Sequence, residues 1–212
     1  MMKKHILTLY MTAVLLAGCG SAGNTAAPAE EPAAPEETAA AEPAESEAPA
    51  EKETEGGTLV VYFSATGTTK GVAEKIAAVT GGDLFELTAA EPYSDADLDW
   101  HDSSSRSTAE QNDPSVRPDL QDAPASLDGY DTIYLGFPIW WGEEPRIMDT
   151  FAESVSFEGK TVIPFCTSGS SPIGRSGENL EQLAGSGTWL KGQRFSGSVS
   201  EDELKSWIDG LQ

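Results

Sequence analysis

Cysteine, histidine and basic residues are scarce in this 212-residue chain, and each scarcity removes a class of function. The two cysteines, Cys19 and Cys166, lie far apart in dissimilar surroundings and give no disulfide framework. His101 has no neighbouring histidine or cysteine, so no metal site is expected. Thirteen Lys and Arg face 35 Asp and Glu, a net charge of −22, which steers the chain away from nucleic acid. Long hydrophobic runs are missing as well: the apolar stretch Ile6 to Leu16 is too short to span a bilayer. There is no G-x-x-x-x-G-K-[ST] loop for a nucleoside triphosphate, no G-x-G-x-x-G dinucleotide fingerprint and no internal repeat.

What is present divides into three zones. Residues 1–18 start with Lys3 and Lys4, continue through the apolar stretch and reach Leu16-Ala17-Gly18-Cys19, the pattern of a secretory signal peptide. The tetrapeptide resembles the lipobox of bacterial lipoproteins. By that resemblance Cys19 is lipidated and becomes the mature N-terminus, which implies an extracytoplasmic protein anchored to a bacterial membrane. Residues 19–57 are rich in Ala, Glu and Pro and hold no aromatic residue. Such a segment has too little apolar surface to offset chain entropy and is expected to be a disordered tether, either a leash or a plain spacer. Residues 58–212 are the globular zone, with 25 acidic and 10 basic residues once the ten glutamates of the tether and Lys3, Lys4 and Lys52 are set aside.

The globular zone is organised around Leu59 to Val79. Leu59-Val60-Val61-Tyr62-Phe63 is an unbroken apolar and β-branched run, as in a strand buried on both faces of a parallel sheet. Val72, Ile76 and Val79 then recur at helical spacing, with Gly81 as a C-cap. Further strands are expected at Asp83 to Leu87, Thr132 to Gly136 and Thr161 to Phe165, with a weak fifth near Trp189 to Phe195. Pro164 is awkward inside a central strand and suggests a bulge or a strand end. Helices are expected between about Asp95 and Gln111, from Pro145 as first residue, around Leu180 and Leu183, and after a Ser200–Glu203 capping box. Alternating strands and helices argue an open parallel α/β sheet with helices on both faces.

Ligands of such sheets sit beyond the carboxyl ends of the strands. Three unusual loops fall there. Ser64-Ala65-Thr66-Gly67-Thr68-Thr69 offers hydroxyls and helix-end amides to a phosphate, unless its Ser and Thr only cap the helix. Pro138-Ile139-Trp140-Trp141-Gly142 offers two indoles, unless one is core and the other surface. Thr167-Ser168-Gly169-Ser170 offers amides and hydroxyls to the polar edge of a ring. Together they suit a flat ring with a phosphate tail, the chemistry of flavin mononucleotide (FMN). Cys166 reads as a small buried residue rather than a nucleophile. Lys70 either pairs with the phosphate or faces solvent, and Arg106 and Arg117 either bind an anionic substrate or form surface ion pairs.

These residues resemble the flavodoxin family over most of 58–212, and in particular a branch with a proline–aromatic loop after the third strand. The hydroxyl turn matches the family's phosphate loop, [ST]-x-T-G-x-T. The resemblance implies a flavodoxin-like five-stranded sheet of order 2-1-3-4-5, an order that also serves as a general example of this fold. It implies that Ser64, Thr66, Thr68, Thr69 and nearby amides hold the phosphate, that 136–142 packs the ring and that 167–171 reads its pyrimidine edge. One departure stands out: Ser171-Pro172-Ile173 lacks the aromatic residue with which many flavodoxins cover the outer ring face. That face is either open or covered by Trp140, Trp141 or the 91–126 segment. The expectation is an electron-transfer protein with an unidentified redox partner protein or small acceptor. A nicotinamide-dependent reductase of quinones or similar acceptors, and a flavin-free binding module, are the alternatives.

Overall fold

The computed structural model describes residues 56–211. The signal segment, Cys19 and the tether up to residue 55 lie outside the described residues. Gly57, read from sequence as the last tether residue, already belongs to the first strand.

The elements run β1 (Gly57–Phe63), α1 (Thr68–Thr80), β2 (Asp83–Ala89), α2 (Arg106–Asn112), β3 (Leu120–Asp122), β4 (Tyr130–Pro138), α3 (Arg146–Ser154), β5 (Thr161–Thr167), α4 (Ser176–Ala184), β6 (Thr188–Trp189), β7 (Gln193–Phe195) and α5 (Glu201–Asp209). The sheet order is β3-β2-β1-β4-β5-β6, with β7 also paired to β5. Every pairing is parallel except β2–β3. The expected five-strand order is therefore present, with the short antiparallel β3 added at one edge.

Strand alternation sends successive side chains to opposite faces and builds two cores. Leu59, Val61 and Phe63 of β1 join Ile133, Leu135 and Phe137 of β4 against Ile147, Met148 and Phe151 of α3 and Leu180 of α4. Val60 and Tyr62 face the other way, with Tyr134, Ile163 and Phe165, against Val72 and Ile76 of α1 and Leu204 of α5. Both faces of the central strands are dry, which is why their sequences run apolar without alternation. Gly81 ends α1 in the left-handed conformation and the Ser200 side chain accepts from the Glu203 N–H, as their positions in sequence suggest.

Four local expectations are corrected. Pro164 is neither a strand end nor a bulge in its own strand; it sits mid-strand opposite Leu135. The irregularity lies in its other neighbour: β6 pairs with Thr161 and Val162, β7 pairs with Phe165 to Thr167, and the break falls beside the proline, which has no N–H to donate. The weak fifth strand is thus two short ones. The helix expected from about Asp95 begins only at Arg106. Asp97, Asp99 and Asp102 accept from the backbone N–H groups of Ser94, His101 and Ser104, and these local bonds hold 94–105 in successive turns until Ser105 caps α2 through the Thr108 N–H. Pro145, expected as the first helical residue, is the N-cap of α3, and the helix starts one residue later at Arg146.

Candidate functional site

Beyond the carboxyl ends of β1 and β4 lies a cavity of about 340 Å³. One side is the β1–α1 turn: Ser64, Ala65, Thr66, Thr68 and Thr69. Gly67 does not line it but makes the turn possible, holding φ at 82° as the N-cap of α1, where a Cβ would be strained. Gly67 itself has no side chain with which to cap this helix end. Ser64 Oγ accepts from the Lys70 N–H at 3.2 Å and the Gly67 carbonyl from the Gly71 N–H at 3.1 Å, which leaves the N–H groups of Thr68 and Thr69 with no intrahelical acceptor. The result is a positive dipole end ringed by hydroxyls, which suits a phosphate.

Thr69 differs from its neighbours. It is buried, and its hydroxyl is 2.8 Å from that of Thr167 at the end of β5. The pair ties two strand ends together. Lys70 meets neither the turn nor open solvent alone: it forms an ion pair with Glu86 at 3.0 Å, which holds its pKa up.

A second side is Pro138, Ile139, Trp140 and Trp141. Trp140 stands edge-on to Phe63 and Tyr93, with ring centroids 5.7 and 5.3 Å away. Tyr93 is itself fixed: its hydroxyl donates to Glu110 at 2.7 Å, and the Arg106 guanidinium lies 4.1 Å over its ring. Burial and the Glu110 carboxylate hold the Tyr93 hydroxyl far above the ordinary tyrosine pKa. Trp141, by contrast, is 46% exposed. Trp140 and Glu143 exchange both backbone hydrogen bonds, at 2.9 and 3.0 Å, across a two-residue turn. Both central residues have positive φ, 49° at Trp141 and 91° at Gly142. Glycine suits that turn; a tryptophan is strained in it. The indole is held out over the cavity at a conformational cost.

The third side comes from the 91–126 segment, which the sequence offered as one cover among others without singling out a residue: Leu98, Trp100 and Ser107, from the turns before α2 and from α2 itself. No periodicity or motif marks them, because 94–105 is polar and irregular. Ser168, Gly169 and Ser170, expected at a ring edge, are not in the cavity wall. Ser168 and Gly169 are pinned by Arg194 of β7, whose guanidinium donates to their carbonyls at 2.6 and 2.5 Å. Thr167 reaches the site through its carbonyl, which accepts from the Ile139 N–H at 3.0 Å, and through Thr69. Arg117 pairs with Glu153 and Asp149, and Arg106 with Glu110. Cys166 is fully buried, and burial pushes its thiol up to about 12, so it is inert as a nucleophile.

No charged residue lines this cavity. A neighbouring hollow of about 300 Å³, across Ser64 and Ala65, is rimmed by Glu86 and Asp122, whose carboxylates would repel a phosphate. The anionic end of a ligand is therefore directed to the first cavity, hydroxyls at one side and indoles at the other.

Fold and site together define an α/β protein of flavodoxin type, with its pocket at the rim of a parallel sheet. The chain belongs to the flavodoxin family, whose model matches residues 57–211. A crystallised candidate flavoprotein from Bacteroides uniformis is 49% identical over 73% of this chain and 98% of its own, with a TM-score of 0.69. One from Bacteroides eggerthii is 44% identical over 73% of this chain and 97% of its own, also at 0.69. A flavoprotein from Lactobacillus acidophilus, crystallised in complex with FMN, shares the fold at 23% identity over 72% of this chain and 99% of its own, with a TM-score of 0.54. No curated protein sequence matches.

Proposed function

We propose that this chain binds FMN non-covalently in the cavity and passes electrons between partners, held at the outer face of a bacterial membrane by a lipid on Cys19. One observation carries the reading: a single uncharged cavity joins a hydroxyl-ringed helix end to a wall of indoles. The flavoprotein relatives from Bacteroides and the FMN complex of the Lactobacillus acidophilus protein support it.

Ser64, Thr66, Thr68 and the free amides of the α1 N-terminus would hold the phosphate, with Thr69 bracing the turn through Thr167. Pro138, Ile139, Trp140 and Trp141 would orient the ring, exclude water from it and supply apolar contact. FMN, when bound, supplies one- or two-electron chemistry at its ring. The surrounding carboxylates disfavour added negative charge in the cavity and so lower the potential, each distant one by tenths of a kcal/mol or less. The tether keeps the domain off the bilayer and within reach of partners in that compartment.

The test is the visible spectrum of the purified protein, followed by titration with FMN. Yellow protein, or saturable uptake with quenched flavin fluorescence, is expected. Colourless protein that takes up no FMN overturns the reading, and steady NADH or NADPH oxidation with a quinone converts it to that of a reductase. Loss of membrane association in Cys19→Ala is the expected result for the anchor; unchanged association removes it.

A further inference from the structure

Trp100 is the most exposed large apolar side chain among the described residues, at 68%, yet it lines the cavity. Among the described residues its one aromatic neighbour is the imidazole of His101, tilted 34° to it with centroids 3.5 Å apart. A solvated indole at the tip of a mobile loop would need no explanation, but this loop is fastened on both sides of the tryptophan. Before it, the Asp97 carbonyl accepts from the N–H and hydroxyl of Ser107 at 3.0 and 2.6 Å. After it, the Asp102 carbonyl accepts from the Thr108 hydroxyl at 3.0 Å. Both anchors sit in the first turn of α2.

The far end of the same helix holds the opposite aromatic segment. Gln111 donates its side-chain amide to the Trp140 carbonyl at 2.8 Å. A seven-residue helix therefore fixes the Trp100 loop relative to the Trp140–Trp141 turn. The loop after β5 contributes no aromatic residue and stays off the wall. The part of the wall made neither by the β1–α1 turn nor by 138–141 is Leu98, Trp100 and Ser107, and Trp100 is its only planar group.

We propose that Trp100 is a cofactor-contacting residue whose indole covers the flavin ring, and that α2 sets the width of the slot between Trp100 and Trp141. The proposal rests on the FMN reading above and adds to it the residue that closes the ring. It also commits the 94–105 loop to recognition of the ring rather than of the phosphate.

The experiment compares full-length wild type, Trp100→Phe, Trp100→Ala and Thr66→Ala by titration with FMN and with riboflavin, following flavin fluorescence, and by the melting temperature without flavin. In Trp100→Ala, affinity is expected to fall about tenfold or more for both ligands, with Trp100→Phe recovering most of it. Thr66→Ala is expected to weaken FMN alone. The flavin-free melting temperature of Trp100→Ala stays at the wild-type value, because the side chain is exposed. Wild type that binds FMN with no loss in Trp100→Ala overturns the role of Trp100 and leaves the cofactor standing. Wild type that takes up no flavin overturns both. A loss confined to FMN contradicts the ring contact.

Discussion

The side-chain amide of Gln111 bridges the main-chain oxygens of Trp140 and Glu144, at 2.8 and 3.1 Å, and so clamps the indole-bearing turn from the neighbouring helix. Gln111→Leu leaves both carbonyls without that donor. Loss of about 1–3 kcal/mol of stability is expected, together with weaker flavin binding. Gln111→Asn, too short to span both oxygens, should fall between, and urea unfolding with and without FMN reads both effects.

Thr66 and Thr69 look equivalent in sequence and are not. Thr66→Ala is expected to cost FMN affinity about 1–2 kcal/mol with no change in the flavin-free melting temperature. Thr69→Ala removes a buried partner of Thr167 and should lower both, while Thr69→Ser restores them. Equal behaviour of the two alanine variants in paired melting and titration experiments would contradict the assignment.

Trp141 occupies a backbone conformation that asparagine adopts with less strain. Trp141→Asn keeps the turn and removes the indole. The flavin-free protein should become more stable by about 1 kcal/mol, and the flavin complex should weaken. A variant less stable than wild type by calorimetry would show that the indole serves the fold instead.

Asp149 and Glu144 are buried side by side with Arg146 behind the turn, and Asp149 Oδ1, Glu144 Oε2 and Gln111 Oε1 find no donor. Burial first, then the Glu144 charge, push Asp149 up to about 7, against the pull of Arg146 and Arg117. A carboxyl raised in the folded state contributes stability in full below its unfolded pKa of about 4; the contribution fades as pH rises and is gone above about 7. Asp149→Asn, which cannot ionise, should therefore gain on wild type between pH 5 and pH 8, by on the order of 2 kcal/mol. Melting curves across that range that run parallel for the two proteins would rule this out.

The central strands were legible because they are dry on both faces: Val60 to Phe63, Thr132 to Leu135 and Thr161 to Phe165 are apolar runs that solvent-facing strands would not show. The turn at Ser64 to Thr69 and the Trp140–Trp141 pair stood out by residue type and by their places at strand ends, though each had a plainer reading as helix cap or as core and surface tryptophan; the structure sets both along one cavity. β3 was not, because Leu120-Gln121-Asp122 is too short to carry a period and depends on pairing with Thr88 and Ala89. Nor was the start of α2, where aspartate and serine side chains take the backbone bonds a helix would need. Trp100 was out of reach for another reason: only the fastening of its loop to Ser107 and Thr108 brings it to the cavity. The split opposite Pro164 was half visible, with the proline pointing to an irregularity but not to the strand that bears it.

Lys70 is occupied by Glu86, and the cavity wall holds no charge in a segment where 25 acidic residues outnumber 10 basic ones. A phosphomonoester entering this cavity meets no charged side chain in its wall, and the net negative charge of the segment pushes back. Dissolved electrolyte shortens that repulsion and leaves the close hydrogen bonds untouched. Capture of such a ligand should accordingly tighten as sodium chloride is added, the reverse of what an arginine- or lysine-built pocket does.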